Sequence, residues 1–288
     1  MNLSTFIYTV ILRPKPLKAL ANAAIRAILP RELKTQGVIV ALNPADPVIS
    51  GALLFGVYEK PETEFFRAVC RPGMTVLDIG ANVGYYTALA AARVDGGKIV
   101  ALEPDRENFG FLEATVAANS ARNVVCIRKA ASSKSGVMTL FSSASNRGDN
   151  RLYANEFPGT QSQVEVCTID ELLSDLGIPT VHLVKIDVQG FEGQVMRGMN
   201  GLLRSAPEIT ILMEFWPEGL RQAGTGPEEL LALLESASLE SYELSDQGRL
   251  AKFDHADLIA RHPGRNYTNI VAHRGGTLPG LIREGGAA

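Results

Sequence analysis

The 288-residue sequence predicts an α/β domain built on a doubly wound, mainly parallel sheet. Apolar, strand-like runs alternate with helix-like segments, and this alternation is typical of right-handed crossovers between parallel strands. The runs occupy residues 74–78, 98–103, 123–128, 181–187 and 208–215. Four of them end on or next to an acidic residue: Asp78, Glu103, Asp187 and Glu214. Ligands of such sheets bind at the carboxyl ends of the strands, so these acids are the first candidates for a site.

The segments around this sheet define the expected organisation. Residues 1–60 are interpreted as a cap, residues 61–274 as the main domain, and residues 275–288, which are rich in glycine, as a flexible tail. Because Pro44, Pro47 and Gly51 punctuate short apolar runs, residues 31–56 are expected to form strands and turns rather than helices. Residues 62–68 read as a helix, and the motif Gly226-Pro227 is typical of a helix start.

An insertion at residues 133–168 interrupts the alternation after the third strand. Residues 136–141 and 163–168 predict a β-hairpin, joined by residues 142–162, which are rich in serine, asparagine and glycine. A loop of that length in a compact domain is usually functional or disordered. Residues 146–151 are therefore expected either to reach over the site as a lid or to form mobile surface.

The N-terminal cap begins with an apolar run at residues 3–12, which is too short to span a bilayer. After it, Leu17, Leu20, Ala24 and Ile28 recur on one face of a predicted helix. This face is expected to pack on the domain itself or on a partner subunit, which would make the protein a homo-oligomer. Because the segment is also basic and amphipathic, weak contact with a membrane surface is the alternative.

Charge and cysteine content exclude several classes of protein. A net charge of −3 and a pI near 5.9 give no indication of nucleic-acid binding. The three cysteines, Cys70, Cys126 and Cys167, are few and widely spaced, which argues against a disulfide framework or a zinc site. We therefore expect reduced thiols in a cytoplasmic protein with no transmembrane segment.

The turn after the first core strand predicts a cofactor site. Gly80 and Gly84 allow a tight turn and the close approach of a ligand. Asn82 occupies the place of the second glycine of a dinucleotide fingerprint, and the Asp78 carboxylate would repel a pyrophosphate but attract a cation. Glu103 lies where the next strand presents a carboxylate to the ribose of an adenosine. These features favour S-adenosylmethionine over NAD, and an NAD-dependent oxidoreductase is the less favoured alternative.

A second motif extends this interpretation to a family. Residues 183–192, Leu-Val-Lys-Ile-Asp-Val-Gln-Gly-Phe-Glu, resemble the K-I-D-x-E-G-x-E signature of the FkbM family of class I methyltransferases. The resemblance runs from about residue 56 to residue 271. It implies a seven-stranded Rossmann-like sheet and O-methylation of a sugar, a glycan or another small natural product. Gln189 stands where the family usually has Glu, which leaves open a binding protein without turnover.

Asp187 is the expected catalytic group, with Lys185 and Glu214 setting its charge and position. Asp187 could act as a free base on the acceptor hydroxyl or, together with Glu214, ligate Mg²⁺. The simpler alternative for Lys185 is an ion pair that only satisfies buried charges. His182 lies at the start of its strand and is expected to be structural. The expected cofactor contacts are Glu59, Asp78, Gly80, Asn82, Gly84, Glu103, Ala130 and Asp187.

Overall fold

A computed structural model describes residues 15–143, 147–154 and 159–279 of the chain. Its centre is a sheet of eight strands in the order β12-β11-β13-β10-β9-β3-β4-β5. The strands are β3 Thr75–Ile79, β4 Lys98–Leu102, β5 Val124–Ile127, β9 Leu183–Ile186, β10 Ile209–Phe215, β11 Glu240–Leu244, β12 Leu250–Ala251 and β13 Thr268–Arg274. Neighbours from β10 to β5 are parallel, and β13 runs antiparallel between β10 and β11. The predicted mainly parallel sheet is confirmed, and the two-residue strand β12 adds an eighth strand at its edge.

Helices cover both faces of this sheet, as a doubly wound fold requires. Consecutive strand residues point to opposite faces: Leu77 packs in a cluster with helices that follow β8 and β9, whereas Val76 packs in a cluster with the cap and the helix after β3. The main helices are α3 Lys60–Val69, α4 Tyr85–Ala91, α5 Arg106–Ala118, α6 Ile169–Asp175, α7 Glu192–Gly198, α8 Asn200–Ser205, α9 Pro217–Gln222, α10 Pro227–Ser236 and α11 His255–Arg261. Pro227 stands at the start of α10, as its sequence predicts.

The insertion forms the predicted hairpin and pairs with a further strand. β7, Gly136–Ser143, runs antiparallel to β8, Gly159–Cys167, and β8 also pairs with the two-residue strand β6, Ala130–Ala131. Both long strands extend further toward the connecting loop than the sequence indicates. Within that loop, Arg147–Asp149 form one turn of 3-10 helix.

The cap contains a helix where strands and turns were expected. The strands β1, Glu32–Thr35, and β2, Val38–Ala41, form a hairpin, but α2 covers Pro47–Leu54. The side chain of Asp46 accepts hydrogen bonds from the backbone N–H groups of Val48 and Ile49, and Pro47 is compatible with the first helical turn. The expectation for residues 31–56 was therefore wrong for this segment, because proline and glycine were read as breakers rather than as part of a capped helix.

The first helix, α1 Lys15–Ile28, exists as predicted but buries a different residue at its end. Ile25 is 5% exposed, whereas Ile28 is 61% exposed and Ala24 is exposed as well. The prediction that Ala24 and Ile28 pack on this domain was therefore wrong. Residues 3–12 lie outside the described residues. In the described part of the chain, no helix is both long and apolar enough to cross a membrane.

Two smaller expectations concern the cysteines and the tail. Cys70, Cys126 and Cys167 are unpaired, as predicted, and two of the three are buried. Within the predicted tail, residues 275–277 are exposed, but Leu278 is buried in the cluster beneath the cap. The tail beyond residue 279 lies outside the described residues.

Candidate functional site

A cleft of about 320 Å³ opens at the carboxyl ends of β3, β4, β9 and β10. Glu103, Asp187 and Glu214 line it, as do Gly80 and Asn82 of the turn after β3. The strand order fixes the spatial order of these residues along the sheet edge. They are Glu103 after β4, Gly80 after β3, Asp187 after β9, and Glu214 in β10. Adjacent strands lie about 4.8 Å apart, so Glu103 and Asp187 are separated by roughly 10 Å. The topology therefore aligns the predicted acids in one row.

The glycine turn has the predicted shape, but neighbouring protein atoms explain its two glycines. Gly80 and Gly84 both have a φ of +84°. A Cβ on Gly80 would lie 2.0 Å from the backbone oxygen of Asp187, and a Cβ on Gly84 would lie 2.8 Å from Leu112 Cδ1. Gly80 also lines the cleft, whereas Gly84 starts α4 and packs on α5. Close approach between protein segments is thus one physical reason for glycine at both positions.

Glu103 is positioned as a buried acceptor at one end of the row. It is 5% exposed, and its two carboxylate oxygens accept the backbone N–H groups of Asn82 and Asp105, each at 2.9 Å. Burial nevertheless raises the pKa of Glu103 to about 8. Beside it, Asn82 lines the cleft with a φ of +51°, and no described residue hydrogen-bonds to its buried side-chain oxygen. These polar groups leave capacity for a bound hydroxyl or amine.

Asp78 lies beneath the cleft rather than in its wall. It is 1% exposed, and Oδ2 accepts the Thr87 hydroxyl at 2.5 Å. In the register between β3 and β9, Asp78 pairs with Lys185. Burial raises the pKa of Asp78, and the charge of Lys185 opposes that rise. Asp78 therefore contributes negative charge from behind the site and does not line the cleft itself.

Lys185 is surrounded by acids and one aromatic ring. Its Nζ lies 3.1 Å from Asp187 Oδ2 and 4.5 Å from the centre of the Tyr86 ring. Burial acts to lower the pKa of Lys185, but the carboxylates of Asp187, Glu59 and Asp78 outweigh it and hold the pKa above its ordinary value. The expected ion pair between Lys185 and Asp187 is present, and it leaves the Asp187 side chain 22% exposed at the cleft.

Glu59 joins this cluster through an interaction that the sequence did not reveal. The hydroxyl of Tyr86 donates to Glu59 Oε2 at 2.8 Å, and both residues line the cleft. Burial raises the pKa of Glu59 to about 7, while Lys185 opposes the rise. Glu59 lines the same cleft as Gly80, Asn82 and Glu103. Tyr86 was missed, although an aromatic residue directly after the glycine turn could have indicated it.

Glu214 lies beside Asp187, as expected for neighbouring parallel strands. Leu212 pairs with Lys185 in the register of the two strands. Glu214 and Asp187, each two residues further along, therefore reach the same edge of the sheet. The side-chain amide nitrogen of Gln189 donates to Asp187 Oδ1 at 2.9 Å and contacts Glu214 Oε1 and Oε2 at 3.2 and 3.3 Å. Burial, and then the charge of Asp187, raises the pKa of Glu214 well above its ordinary value.

The insertion covers the cleft from above. Residues 147–151 of the predicted lid line it, while Asn146 lies outside the described residues. The backbone N–H of Arg147 donates to Asp46 Oδ2 at 3.0 Å, which ties the insertion to the cap. The Arg151 guanidinium lies 4.6 Å from the centre of the Trp216 ring. The predicted location of this segment over the site therefore agrees with the structure.

Two aromatic residues complete the wall beyond Glu214. Trp216 is mostly buried and donates its ring N–H to the Gly264 carbonyl at 2.7 Å. Tyr267 is 56% exposed and precedes β13. Neither was predicted, although a single tryptophan at the end of a core strand was a usable signal. At the other end, Ala130 also lines the cleft.

Two further predictions concern a metal ion and the histidine. Within the described ranges, no group of three or more His, Cys, Asp or Glu side chains could hold a metal ion, so the Mg²⁺ alternative gains no support from the donor geometry. His182 is structural as expected, since its Nδ1 accepts the backbone N–H of Thr75 at 3.0 Å.

Sequence comparison identifies relatives among methyltransferases. The model of the methyltransferase FkbM domain matches residues 78–243. The hexuronic acid methyltransferase AglP of Haloferax volcanii is 28% identical over 171 residues, covering 57% of this chain and 62% of that protein. The 31-O-demethyl-FK506 methyltransferase FkbM of Streptomyces tacrolimicus is 28% identical over 161 residues, covering 45% of this chain and 60% of that protein. The chain thus spans about three fifths of the length of the curated relatives that it matches.

Solved structures with a similar arrangement are more distant. The precorrin-6Y C5,15-methyltransferase of Geobacter metallireducens is 15% identical with a TM-score of 0.43, covering 76% of this chain and 90% of that chain. A SAM-dependent methyltransferase of Aquifex aeolicus is 17% identical with a TM-score of 0.40, covering 75% and 90% of the two chains.

Proposed function

The chain belongs to the FkbM methyltransferase family, and we propose that it transfers the methyl group of S-adenosylmethionine to a hydroxyl group of a sugar, a glycan or another small natural product. The observation that carries the proposal is the row of groups along one sheet edge. Glu103 stands at one end, and the cluster of Lys185, Asp187 and Glu214 stands about two strand spacings away.

The residues of the cleft fit S-adenosylmethionine. A volume of about 320 Å³ is within the range of small-ligand sites. Glu103 would accept the ribose hydroxyls, and the unpaired side-chain oxygen of Asn82 would accept a further donor. Glu59 and Asp187 place negative charge beside the position of a cation. When bound, S-adenosylmethionine supplies a methyl group that is activated by a positively charged sulfur.

The acid cluster would receive the proton of the acceptor hydroxyl. Asp187 is the proposed catalytic base because its carboxylate is exposed to the cleft, while Lys185 stabilises its negative charge at 3.1 Å. Glu214 would lie beside the acceptor and, with its raised pKa, share the proton. Most of the rate enhancement would come from holding the acceptor oxygen in line with the methyl group.

The charge of this cluster favours a hydroxyl over a carboxylate as the methyl acceptor. Burial already raises the pKa values of Glu59 and Glu214, so a further carboxylate beside them and Asp187 would be accommodated only by additional protonation. A hydroxyl avoids that requirement and needs the base that the cluster supplies. Tyr267 adds an exposed aromatic surface with a polar tip, which suits the mixed apolar and polar faces of a sugar ring. AglP, described as a hexuronic acid methyltransferase, supports a sugar acceptor.

Binding and turnover measurements test the proposal. Calorimetric titration should detect S-adenosylmethionine and not NAD⁺, which separates a methyltransferase from an oxidoreductase. Asp187→Asn should retain the fold and most of the cofactor affinity while kcat falls by about 10²-fold or more, the usual contribution of a general base. Formation of S-adenosylhomocysteine should be indifferent to EDTA. Cofactor binding without turnover on any hydroxyl acceptor would instead favour a methyltransferase-like binding protein.

A further inference from the structure

Two carboxylates at the end of the cleft, those of Asp187 and Glu214, are joined through one side-chain amide group. Asp187 and Glu214 each lie within 3.3 Å of the same atom, the side-chain nitrogen of Gln189. Two ionised carboxylates at this separation repel each other, and such pairs usually retain a shared proton or bind a metal ion. The NH₂ group of Gln189 carries two hydrogens, one for each carboxylate.

The backbone around Gln189 is fixed in the conformation that aims its side chain at the acids. Its φ is +54°, which is uncommon for a residue with a side chain. From below, the Glu192 carboxylate accepts the backbone N–H groups of Val188 and Gly190, both at 3.2 Å. From above, the Tyr153 hydroxyl donates to the Gln189 carbonyl at 2.8 Å. The turn is thus held from two sides, so the amide group is pre-positioned between the carboxylates.

We propose that Gln189 is a positioning residue whose amide group donates to both the Asp187 and the Glu214 carboxylates and holds them side by side at the cleft. Its effect on turnover rests on the proposed function, whereas its effect on the titration of the two acids does not. Gln189 has no group that could accept the proton of the acceptor, so it acts through Asp187 and Glu214.

The other charged groups around the pair are the background against which this effect is measured. Asp187 and Glu214 also face groups on β3, β9, α7, the start of α3, the insertion and the segment before β13. These groups are Asp78, Lys185, Glu192, Glu59, Glu62, Tyr58, Tyr153, Tyr267, Arg151 and Arg265. All of them stay unchanged when only Gln189 is replaced, so a difference between variants reports on its amide group.

Two substitutions separate the roles of the amide donor and of charge. Gln189→Glu keeps the size of the side chain but adds a third carboxylate, and Gln189→Met keeps the length but removes the donor. Both variants remove the hydrogen bonds that favour the ionised carboxylates, so the titration of the pair should move to higher pH by about one unit or more. The shift should be larger for Gln189→Glu. The control is Gln222→Glu, which makes the same charge change at an exposed position.

The titration is measured by NMR on protein labelled with ¹³C at the side-chain carboxyl carbons, which requires no acceptor and no turnover. In the wild type, the side-chain amide protons of Gln189 should shift as the two acids titrate. An unchanged titration in Gln189→Met would overturn the proposal, as would a shift in Gln189→Glu alone, because either result denies a role to the donor. If both variants fold poorly, the wild type still provides a test. Side-chain amide protons of Gln189 whose chemical shifts do not change as the acids titrate would also overturn the proposal.

A second readout links the pair to catalysis. The acid limb of the pH profile of kcat/KM should move to higher pH together with the carboxyl titration. In Gln189→Glu, kcat/KM near pH 6 should therefore be at least about tenfold lower than at pH 8.5. A shifted titration with no methyl transfer in any variant would sustain the role of Gln189 and reject the proposed function. Active variants with an unshifted titration would reject the role of Gln189 and leave the proposed function in place.

Discussion

Binding of the cofactor is expected to release a proton from Glu103. In the unliganded cleft, burial raises the pKa of this carboxyl to about 8, although two backbone N–H groups donate to it. Ribose hydroxyls would donate two further hydrogen bonds, which favour the ionised form. The free protein is therefore mostly protonated at Glu103 near neutral pH, and the bound protein is ionised there.

The size of the effect follows from the pKa. A carboxyl with a pKa of about 8 is roughly one tenth ionised at pH 7, so ionising it costs about 1.4 kcal/mol of binding free energy. Affinity should rise about tenfold per pH unit up to about pH 8 and then level off. Glu103→Gln should lose this slope and should bind about 1–3 kcal/mol more weakly at alkaline pH, because one donor loses its acceptor.

The same shift predicts an effect on the unliganded fold. Because the folded pKa of Glu103 lies above the unfolded value, its favourable contribution is complete below about 4.5 and is lost as the pH rises through about 8. The free energy of unfolding of Glu103→Gln should therefore fall less than that of the wild type between about pH 6 and pH 9.

Adenosine and 2′,3′-dideoxyadenosine provide the matched ligands for calorimetry. Adenosine carries the ribose hydroxyls without the titrating amino group of the full cofactor, and the dideoxy analogue lacks the hydroxyls. Titrations in buffers of different ionisation enthalpy should count about 0.9 protons released at pH 7 with adenosine and close to none with the analogue. Equal proton release with both ligands, or an adenosine affinity that is flat across this range, would refute the assignment of Glu103 to the ribose.

Two further predictions concern the fold beneath the site. Gly80→Ala should lower the free energy of unfolding by about 2–4 kcal/mol, because its Cβ would meet the Asp187 backbone. The control is Gly224→Ala, which has a similar φ and open space around the Cβ and should lower it by only about 1–2 kcal/mol. Equal losses in denaturant unfolding would contradict the close approach. Tyr86→Phe removes a donor to a buried carboxylate and should cost about 1–2 kcal/mol, against less than about 0.5 kcal/mol for Tyr242→Phe, whose partner is exposed. A Tyr86→Phe protein as stable as the wild type would show that this hydrogen bond contributes nothing.

The sequence predicts most of the sheet edge and little of what covers it. Asp187 and Glu214 could be placed side by side because consecutive core strands of this pattern are usually neighbours, and strand ends then meet at one edge. Asp78 could not be placed beneath the cleft, since its depth depends on the register between β3 and β9. The helix α2 was missed because its start depends on a cap by Asp46, which reads equally well as a turn residue.

Contacts made by side chains from distant segments were beyond sequence reasoning. The bridge by Gln189 requires a backbone φ of +54° and a turn held by Glu192 and Tyr153, which are brought together only by the folded chain. The stacking of Arg151 on Trp216 likewise joins the insertion to the end of β10. Spacing along the sequence carries no information about such pairs, so these contacts appear only in the structure.

The chemical form of the methylated product tests the central claim most directly. S-adenosylmethionine labelled with ¹³C in its methyl group is incubated with the protein and the methyl glycosides of glucose and glucuronic acid, and the products are examined by NMR before and after mild alkali. We expect an alkali-stable methyl ether that is formed by the wild type and reduced about 10²-fold in Asp187→Asn. Label in an alkali-labile methyl ester, or equal ether formation by both proteins, would contradict the proposed transfer to a hydroxyl assisted by Asp187.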